Sequence, residues 1–221
     1  HGFSTSSIIK DANDAFYTDV LSSYASYIDI DAGFCGDRST LNLQNGVGTG
    51  TETTYYKGYV RVMLSTPSLL CENENDLYTL SSSNQGNKAL SYPIGLITAD
   101  EVMLAGTGGG LLDGTYNYQP TNLNGYLIIG NYFWTMTPAG GYIPFGGTSW
   151  YSRMFSINLT GSIDDYATYN ENSLRPVINL KADVTITGEG TKENPYTSFL
   201  KNGSLNKDLL FFIYGIYYSY E

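Results

Sequence analysis

The sequence predicts a single α+β domain, and three observations lead to that prediction. Apolar residues recur at helical spacing over residues 11–28, a helix-capping pattern follows at Thr98, and short strand patterns come after residue 125. No repeat, linker or block of charge divides the chain. We therefore expect one domain over residues 1–199 and an aromatic C-terminal extension over residues 200–221.

Two helices and one strand are predicted in the first half. The first helix spans residues 11–28, which contain no Gly or Pro, with Asp11 as its N-cap. Alternating apolar residues predict a strand over residues 55–63. The second helix begins at Thr98, because Glu101 stands three positions later as in a capping box, and it ends near Gly106.

Short, mostly antiparallel strands are predicted in the second half of the chain, at residues 125–129, 132–136, 154–158, 174–180 and 184–186. Residues 139–173 lie between two strand-like apolar ends and are rich in Gly, Ser, Tyr, Asn and Asp. A rigid frame around such an irregular segment is typical of a protein that presents a binding surface.

Composition limits the classes of partner. The formal net charge is −10 and the 11 basic residues are scattered, which argues against binding to nucleic acid or to anionic membranes. Only 14% of residues are charged, whereas Tyr (21) and Gly (25) are abundant. Such a surface resembles an antibody paratope, and it is equally compatible with a β-rich extracellular domain, since Tyr and Thr favour strands.

The sequence argues against catalysis. The only His is residue 1, so triads of Ser, His and Asp, His-rich zinc sites and the usual neutral-pH proton shuttle are excluded. The neighbours Asp164 and Asp165 could form the acid pair of a hydrolase, but adjacent loop residues seldom converge on one bond. We predict that the protein is not an enzyme.

Cysteines and carboxylates leave alternatives open. Cys35 and Cys71 are either two free thiols or one disulfide, and their sequence separation does not decide between these. We expect no cofactor. Two sets of carboxylates could ligate calcium, with solvated loop carboxylates as the favoured interpretation of both. The sets are Asp29, Asp31 and Asp37, and Asp164, Asp165 and Glu171.

Three motifs in fixed order carry a resemblance to a known family. They are Gly-Leu-Ile-Thr-Ala-Asp-Glu-Val at residues 95–102, Tyr-Phe-Trp-Thr-Met-Thr-Pro at 132–138 and Leu-Arg-Pro-Val-Ile-Asn-Leu at 174–180. Over residues 12–197 the chain resembles the C-type-lectin-fold domains of variable proteins from diversity-generating retroelements and of related surface proteins from gut bacteria and phages. The resemblance implies a C-type-lectin-like fold with two helices, short strands and long loops.

The resemblance also implies where a ligand would bind. In such proteins the stretch between the Trp-containing strand and the Arg-Pro strand carries the ligand contacts, here residues 139–173. Most candidates are residue types that retroelement diversification produces, and Trp150 is added as an aromatic contact residue. The candidate ligand-binding residues are Tyr142, Ile143, Trp150, Tyr151, Arg153, Asp164, Asp165, Tyr166, Tyr169 and Asn170.

The function implied is that of a non-enzymatic surface or phage-tail protein, comparable to an adhesin, which binds a protein or glycan on a host or bacterial surface. We expect an extracellular location, on a cell surface or virion. One alternative is a structural pilus or tail subunit that self-associates through the aromatic run at residues 209–220. The other is an enzyme similar to formylglycine-generating enzymes, whose active-site cysteines lie late in the domain, whereas no cysteine follows Cys71 here.

Overall fold

The structure is a computed structural model, and its described part is an α+β protein with antiparallel sheets, which confirms the predicted class. It describes residues 7–41, 53–106, 127, 130–142, 151–189, 196–200 and 210–211. For residues 7–8, 142, 196–200 and 210–211, only the backbone is described.

Three α-helices and eleven strands are assigned within the described ranges. The helices are α1 (Ser7–Phe16), α2 (Lys57–Leu64) and α3 (Ala99–Leu104). The strands are β1 (Phe34–Cys35), β2 (Thr54–Tyr55), β3 (Leu77–Tyr78), β4 (Gly95–Leu96), β5 (Phe133–Tyr142), β6 (Tyr151–Ile157), β7 (Ile163–Ala167), β8 (Pro176–Val177), β9 (Val184–Thr187), β10 (Tyr196–Leu200) and β11 (Leu210–Phe211).

The largest sheet has the order β2-β5-β6-β7, and its strands pair antiparallel. Two short pairs, β1 with β3 and β4 with β8, and a three-stranded sheet in the order β11-β10-β9 complete the described sheets. The last of these sheets includes residues 210–211, so the predicted C-terminal extension contributes a strand.

The four-stranded sheet is buried on both faces. Alternate side chains of a strand point to opposite sides, and along β6 they enter two different hydrophobic clusters. Phe155 belongs to a cluster that includes Val62 of α2 and Val102 of α3. Its neighbour Met154 belongs to a second cluster, which includes Trp134. The middle of the hairpin formed by β6 and β7 is therefore fixed from both sides.

The first helix differs from its predicted bounds. It begins at Ser7, so Asp11 lies inside the helix and is not its N-cap, and it ends at Phe16. The chain continues as a π-helical turn over Tyr17–Leu21 and then as a 3-10 helix over Ser22–Tyr27. The helix faces the core through Asn13, whose Nδ2 donates to the carbonyl oxygen of Gly95 at 3.2 Å.

The strand predicted over residues 55–63 is wrong, because α2 occupies most of that range. Gly58 and Val62 are buried and lie four residues apart, so they share one face of the helix. A Cβ at Gly58 would lie 2.6 Å from Cγ2 of Thr137, so glycine permits close approach of α2 to β5. Ser65 ends the helix in the left-handed conformation, with φ 52°.

The predicted capping box of α3 is confirmed. The backbone N–H of Glu101 donates to Oγ1 of Thr98 at 3.1 Å, and the backbone N–H of Thr98 donates to Oε2 of Glu101 at 2.7 Å. The helix ends at Leu104, and Gly106 follows with φ 91°. A purely local pattern fixes both ends of this helix.

An arginine connects the segments around α2 and α3. Arg61 donates from Nε and Nη2 to the two carboxylate oxygens of Asp100, at 2.6 and 2.9 Å. Its Nη1 lies 2.7 Å from Oδ2 of Asp37, in the loop after β1. The backbone N–H of Ser68 also donates to Asp100, at 3.0 Å. Three segments distant in sequence, around residues 37, 61–68 and 100, therefore meet at this charged group.

The back half contains more strand than predicted. The strand predicted at residues 132–136 extends to Tyr142, the one at 154–158 corresponds to β6, and the one at 184–186 corresponds to β9. Of the strand predicted at residues 174–180, only β8 forms. Of residues 125–129, only Leu127 is described.

The described parts of residues 139–173 are mostly regular, which corrects the prediction of an irregular segment. Between Trp134 and Gly140 the pairing of β5 with β6 shifts register, and this irregularity accommodates Pro138, which has no N–H to donate to the ladder. The turn between β6 and β7 has Gly161 at φ 83°.

No helix in the described part of the chain has the length and apolar character needed to cross a bilayer.

Candidate ligand-binding surface

Some of the candidate ligand-binding residues lie at one end of the four-stranded sheet, where β5 ends and β6 begins. Tyr142 is the last residue of β5 and lies opposite Tyr151, the first residue of β6. The chain between these strands contains Ile143 and Trp150, which lie outside the described residues, and only the backbone of Tyr142 is described. The two strand ends place the entry and exit of that segment side by side.

Tyr151 and Tyr169, here called the tyrosine pair, are in ring contact, and Tyr169 is the one exposed residue among the candidates whose side chains the structure describes. Their ring centroids are 5.1 Å apart, and the ring planes meet at 66°, an edge-to-face contact. Tyr169 lies in the turn after β7 and is 68% exposed, whereas Tyr151 is half-buried. One ring therefore supports the other, and the outer ring presents apolar area to solvent.

The turn that carries Tyr169 is fixed by hydrogen bonds. The backbone N–H and Nδ2 of Asn170 both donate to the carbonyl oxygen of Ala167, each at 3.0 Å. The backbone N–H of Thr168 donates to the carbonyl oxygen of Ser152 at 2.9 Å. Asn170 thus orients the turn, which is a structural role that the sequence did not predict for it.

Arg153 and Asp165 form an ion pair beneath this surface. Nε of Arg153 lies 2.5 Å from Oδ2 of Asp165, and its Nη2 donates to the carbonyl oxygen of the same residue. Both side chains are largely buried. The pair neutralises both charges within the protein, so it offers little net charge to a ligand.

Asp164 and Tyr166 point to the opposite face of the sheet from Asp165, because side chains alternate along β7. Tyr166 packs against the cluster that contains Met154. The structure therefore divides the predicted contact residues between two faces and does not assemble them into one surface.

Tyr132 contacts Tyr166 and was not among the residues selected from the sequence. Its ring centroid lies 5.4 Å from that of Tyr166, edge to face. Burial raises the pKa of Tyr166, and a hydrogen bond with Tyr132 and the charge of Asp164 raise it further. No local pattern marks this pair, because Tyr132 and Tyr166 come together only through the pairing of the strands.

The carboxyl group of Asp164 is also displaced from its usual pKa. Burial raises the pKa of Asp164, and the charge of Asp165 adds to the rise. A hydrogen bond from the backbone N–H of Asp165, at 2.8 Å, and the charge of Arg153 oppose it. The ionised form of Asp164 is therefore less favourable in the folded protein than in water.

In the first set of carboxylates considered for calcium, Asp29 and Asp37 have separate partners. Oδ1 of Asp29 accepts from the backbone N–H groups of Asp31 and Ala32, whereas Asp37 pairs with Arg61. Across the described ranges, no group of three or more His, Cys, Asp or Glu residues has a geometry suited to a metal ion.

The two cysteines are joined. Cys35 of β1 and Cys71 form a disulfide with their Cα atoms 5.7 Å apart. The bond links β1 to the loop between α2 and β3, which also supplies the Ser68 N–H to Asp100. Of the two alternatives that the sequence left open, the structure has the disulfide.

Comparisons with known proteins add no assignment. The chain matches no protein-family model, no curated protein and no solved structure. The tyrosine pair combines an exposed ring with an oriented turn and lies near a neutralised ion pair. These features are suited to contact with another molecule.

Proposed function

We propose that this protein is a non-enzymatic ligand-binding protein with a C-type-lectin-like fold. It acts at a cell surface or on a virion, in the manner of an adhesin or phage-tail receptor-binding domain, and recognises a protein or glycan through residues 139–173. One observation carries the proposal, namely the exposed ring of Tyr169, supported by Tyr151 at the end of a sheet that is buried on both faces.

Preorganisation is the physical reason why this feature supports binding. A tyrosine offers a large amphipathic contact area and loses little side-chain entropy when it binds. The hydrogen bonds of Asn170 fix the turn, and the contact with Tyr151 restricts the ring before any ligand arrives. A ligand therefore meets a surface that needs little ordering, which lowers the cost of association.

The charges near the tyrosine pair favour a ligand that is recognised by its shape and by polar contacts. They disfavour a ligand that binds through a negatively charged group. Asp165 neutralises Arg153 inside the protein, and the chain as a whole carries a formal net charge of −10. A strongly anionic ligand would meet repulsion, and among the described residues at this end of the sheet no unpaired cation offsets it. We therefore propose a neutral or basic contact surface on the ligand.

Among the alternatives, a structural subunit has one supporting observation. In β9, Thr185, Ile186 and Thr187 are exposed, and β9 is an outer strand of its sheet. An enzyme similar to formylglycine-generating enzymes has less support, because the two cysteines of this chain are bonded to each other. Self-association through residues 209–220 stays a prediction, since only Leu210 and Phe211 of that run are described.

The proposal is tested by binding of Tyr169→Ala to an array of glycans and bacterial surface proteins, with Leu159→Ala as a matched control. Leu159 is also exposed, at 48%, but it lies in the turn at the other end of the same hairpin. We expect Tyr169→Ala to weaken capture of the wild-type ligand by roughly tenfold or more, since aromatic contact residues contribute about 2 kcal/mol or more. Leu159→Ala should bind as the wild type does.

Stability provides the second readout. Leu159→Ala removes an exposed side chain, so the free energy of unfolding should change by no more than about 0.5 kcal/mol. Tyr169→Ala also removes the ring contact with Tyr151, so it should cost at most about 1.5 kcal/mol. Unchanged binding by Tyr169→Ala, or a wild-type protein that captures nothing on the array, contradicts the proposal. Equal loss of binding and of stability would assign the tyrosine pair a structural role instead.

A further inference from the structure

The outer edge of β7 has a defined set of hydrogen-bonding groups. Among the residues that the structure describes, β7 is an outer strand of its sheet, whose order is β2-β5-β6-β7. The N–H of Asn158 bonds to the carbonyl of Ser162, and the N–H of Thr168 bonds to that of Ser152. Hydrogen-bonded pairs alternate with non-bonded pairs in an antiparallel ladder, so the even-numbered residues of β7 bond to β6. The backbone groups of Asp165 therefore face outward.

The odd-numbered neighbours of Asp165 share this orientation, and side chains occupy several of the outward groups. Oδ1 of Asp164 accepts from the N–H of Asp165 at 2.8 Å. Nη2 of Arg153 donates to the carbonyl oxygen of Asp165. The carbonyl oxygen of Ala167 accepts from both nitrogen donors of Asn170, each at 3.0 Å. Three groups that another strand would need are thus already engaged.

We infer that Arg153, Asp164 and Asn170, the edge-protecting set, prevent β7 from pairing with β7 of a second copy of this chain. A second copy is the relevant partner because two identical edge strands pair antiparallel about a two-fold axis, which closes the assembly. An unprotected edge strand of five residues is a template for such pairing. Three residues selected as ligand contacts therefore have a different role, which is independent of the proposed function.

Charge strengthens the protection. In a two-fold pairing of β7 strands, the neighbouring carboxylates Asp164 and Asp165 of one copy would approach those of the other. Arg153 neutralises Asp165 within each copy, so Asp164 supplies the repulsion between copies. Asp164 thus acts twice, by engaging an outward N–H group and by carrying a negative charge at the edge.

The test compares Arg153→Met combined with Asp164→Ala, made in an Asp165→Asn background so that no carboxylate is left unpaired, against Asp164→Asn and the wild type, by sedimentation and light scattering at neutral pH. Asparagine keeps an oxygen that can accept from the Asp165 N–H, so Asp164→Asn removes only the charge. We expect the double variant to reach twice the wild-type mass across the micromolar to millimolar range, while Asp164→Asn stays monomeric.

Amide hydrogen exchange provides a readout that does not depend on association. In Asp164→Ala, measured where it is monomeric, the Asp165 N–H should exchange roughly tenfold or more faster than in Asp164→Asn, because its acceptor is gone. A monomeric double variant, or equal exchange of the Asp165 N–H in the two single variants, overturns the inference. Association of Asp164→Asn to the same extent would show that charge alone protects the edge, which also overturns it.

Discussion

Substitution of Arg61 by Met should destabilise the fold strongly, because it leaves two buried carboxylates without their shared cation. The side chain of Asp37 is 8% exposed and that of Asp100 is 5% exposed, and Arg61 contacts both at 2.6 to 2.9 Å. Removal of one partner from a buried ion pair costs about 3–5 kcal/mol, since the remaining charge is unpaired. Methionine retains most of the apolar stem, so lost packing contributes little.

The expected cost is large for a protein of this size. For a chain of 150–250 residues, each 1 kcal/mol shifts the melting temperature by about 2–4 °C, so Arg61→Met should melt roughly 6–20 °C lower. Urea denaturation with the disulfide intact measures the free energy of unfolding directly. The Ser68 N–H still donates to Asp100, which places the expected cost at the lower end of the range.

A neutralised variant separates charge from geometry. Arg61→Met combined with Asp37→Asn and Asp100→Asn leaves no buried charge at this position, so it should recover most of the lost stability. A cost below about 1 kcal/mol for Arg61→Met alone would refute the reasoning, because the ion pairs would then not connect these segments. Failure of the triple variant to recover would mean that hydrogen-bond geometry matters more than charge.

Two further predictions concern backbone space and pH. Gly95→Ala should cost about 1–3 kcal/mol in urea denaturation, because its Cβ would lie 2.4 Å from the ring of Phe34. The control Gly141→Ala should be nearly neutral, since its Cβ would meet only a carbonyl oxygen at 4.0 Å. Equal effects of the two substitutions would contradict the packing around Gly95. Because the pKa of Asp164 is raised in the fold, its contribution to stability is fully present below the ordinary value of 3.8 and is lost as pH rises through the folded pKa. The free energy of unfolding of Asp164→Asn should therefore be at least as large as that of the wild type at pH 7, and the difference should shrink on acidification. A variant that is less stable than the wild type at pH 7 would show that the charge of Asp164 is favourable.

The elements that the sequence predicted well are those with local causes. The capping box at Thr98 places both partners within one turn, so its pattern determines the start of α3 without help from the rest of the chain. The strand predicted at residues 154–158 corresponds to β6, and a turn with Gly161 at φ 83° follows it. In each case the interacting groups are neighbours in sequence.

The elements that the sequence predicted poorly depend on distant partners. α2 was predicted as a strand, because the contacts of Gly58 with β5 and of Arg61 with α3 are not visible in its own eight residues. Residues 139–173 were predicted as irregular because glycine and polar residues outnumber alternating apolar ones. A sheet nevertheless forms there, since β5 tolerates Pro138 at an irregularity in its pairing.

The candidate site was predicted in part. Sequence selected both Tyr151 and Tyr169 as contact residues, whose rings the structure brings together. It could not predict that Arg153 and Asp165 would pair with each other or that Tyr166 would pack inward, because the face of each residue depends on strand register. Register in turn depends on the turn between β6 and β7 and on two separate hydrophobic clusters.

The anchoring of β6 on both faces of the sheet has a mechanical consequence. Phe155 and Met154, adjacent along the strand, are held by different clusters, so the hairpin can neither roll nor lift away from one side. A force applied at Tyr169 along the strand direction therefore acts in shear on the backbone hydrogen bonds between β6 and β7. These hydrogen bonds bear the force together. Such a geometry resists tension better than one whose hydrogen bonds break one after another.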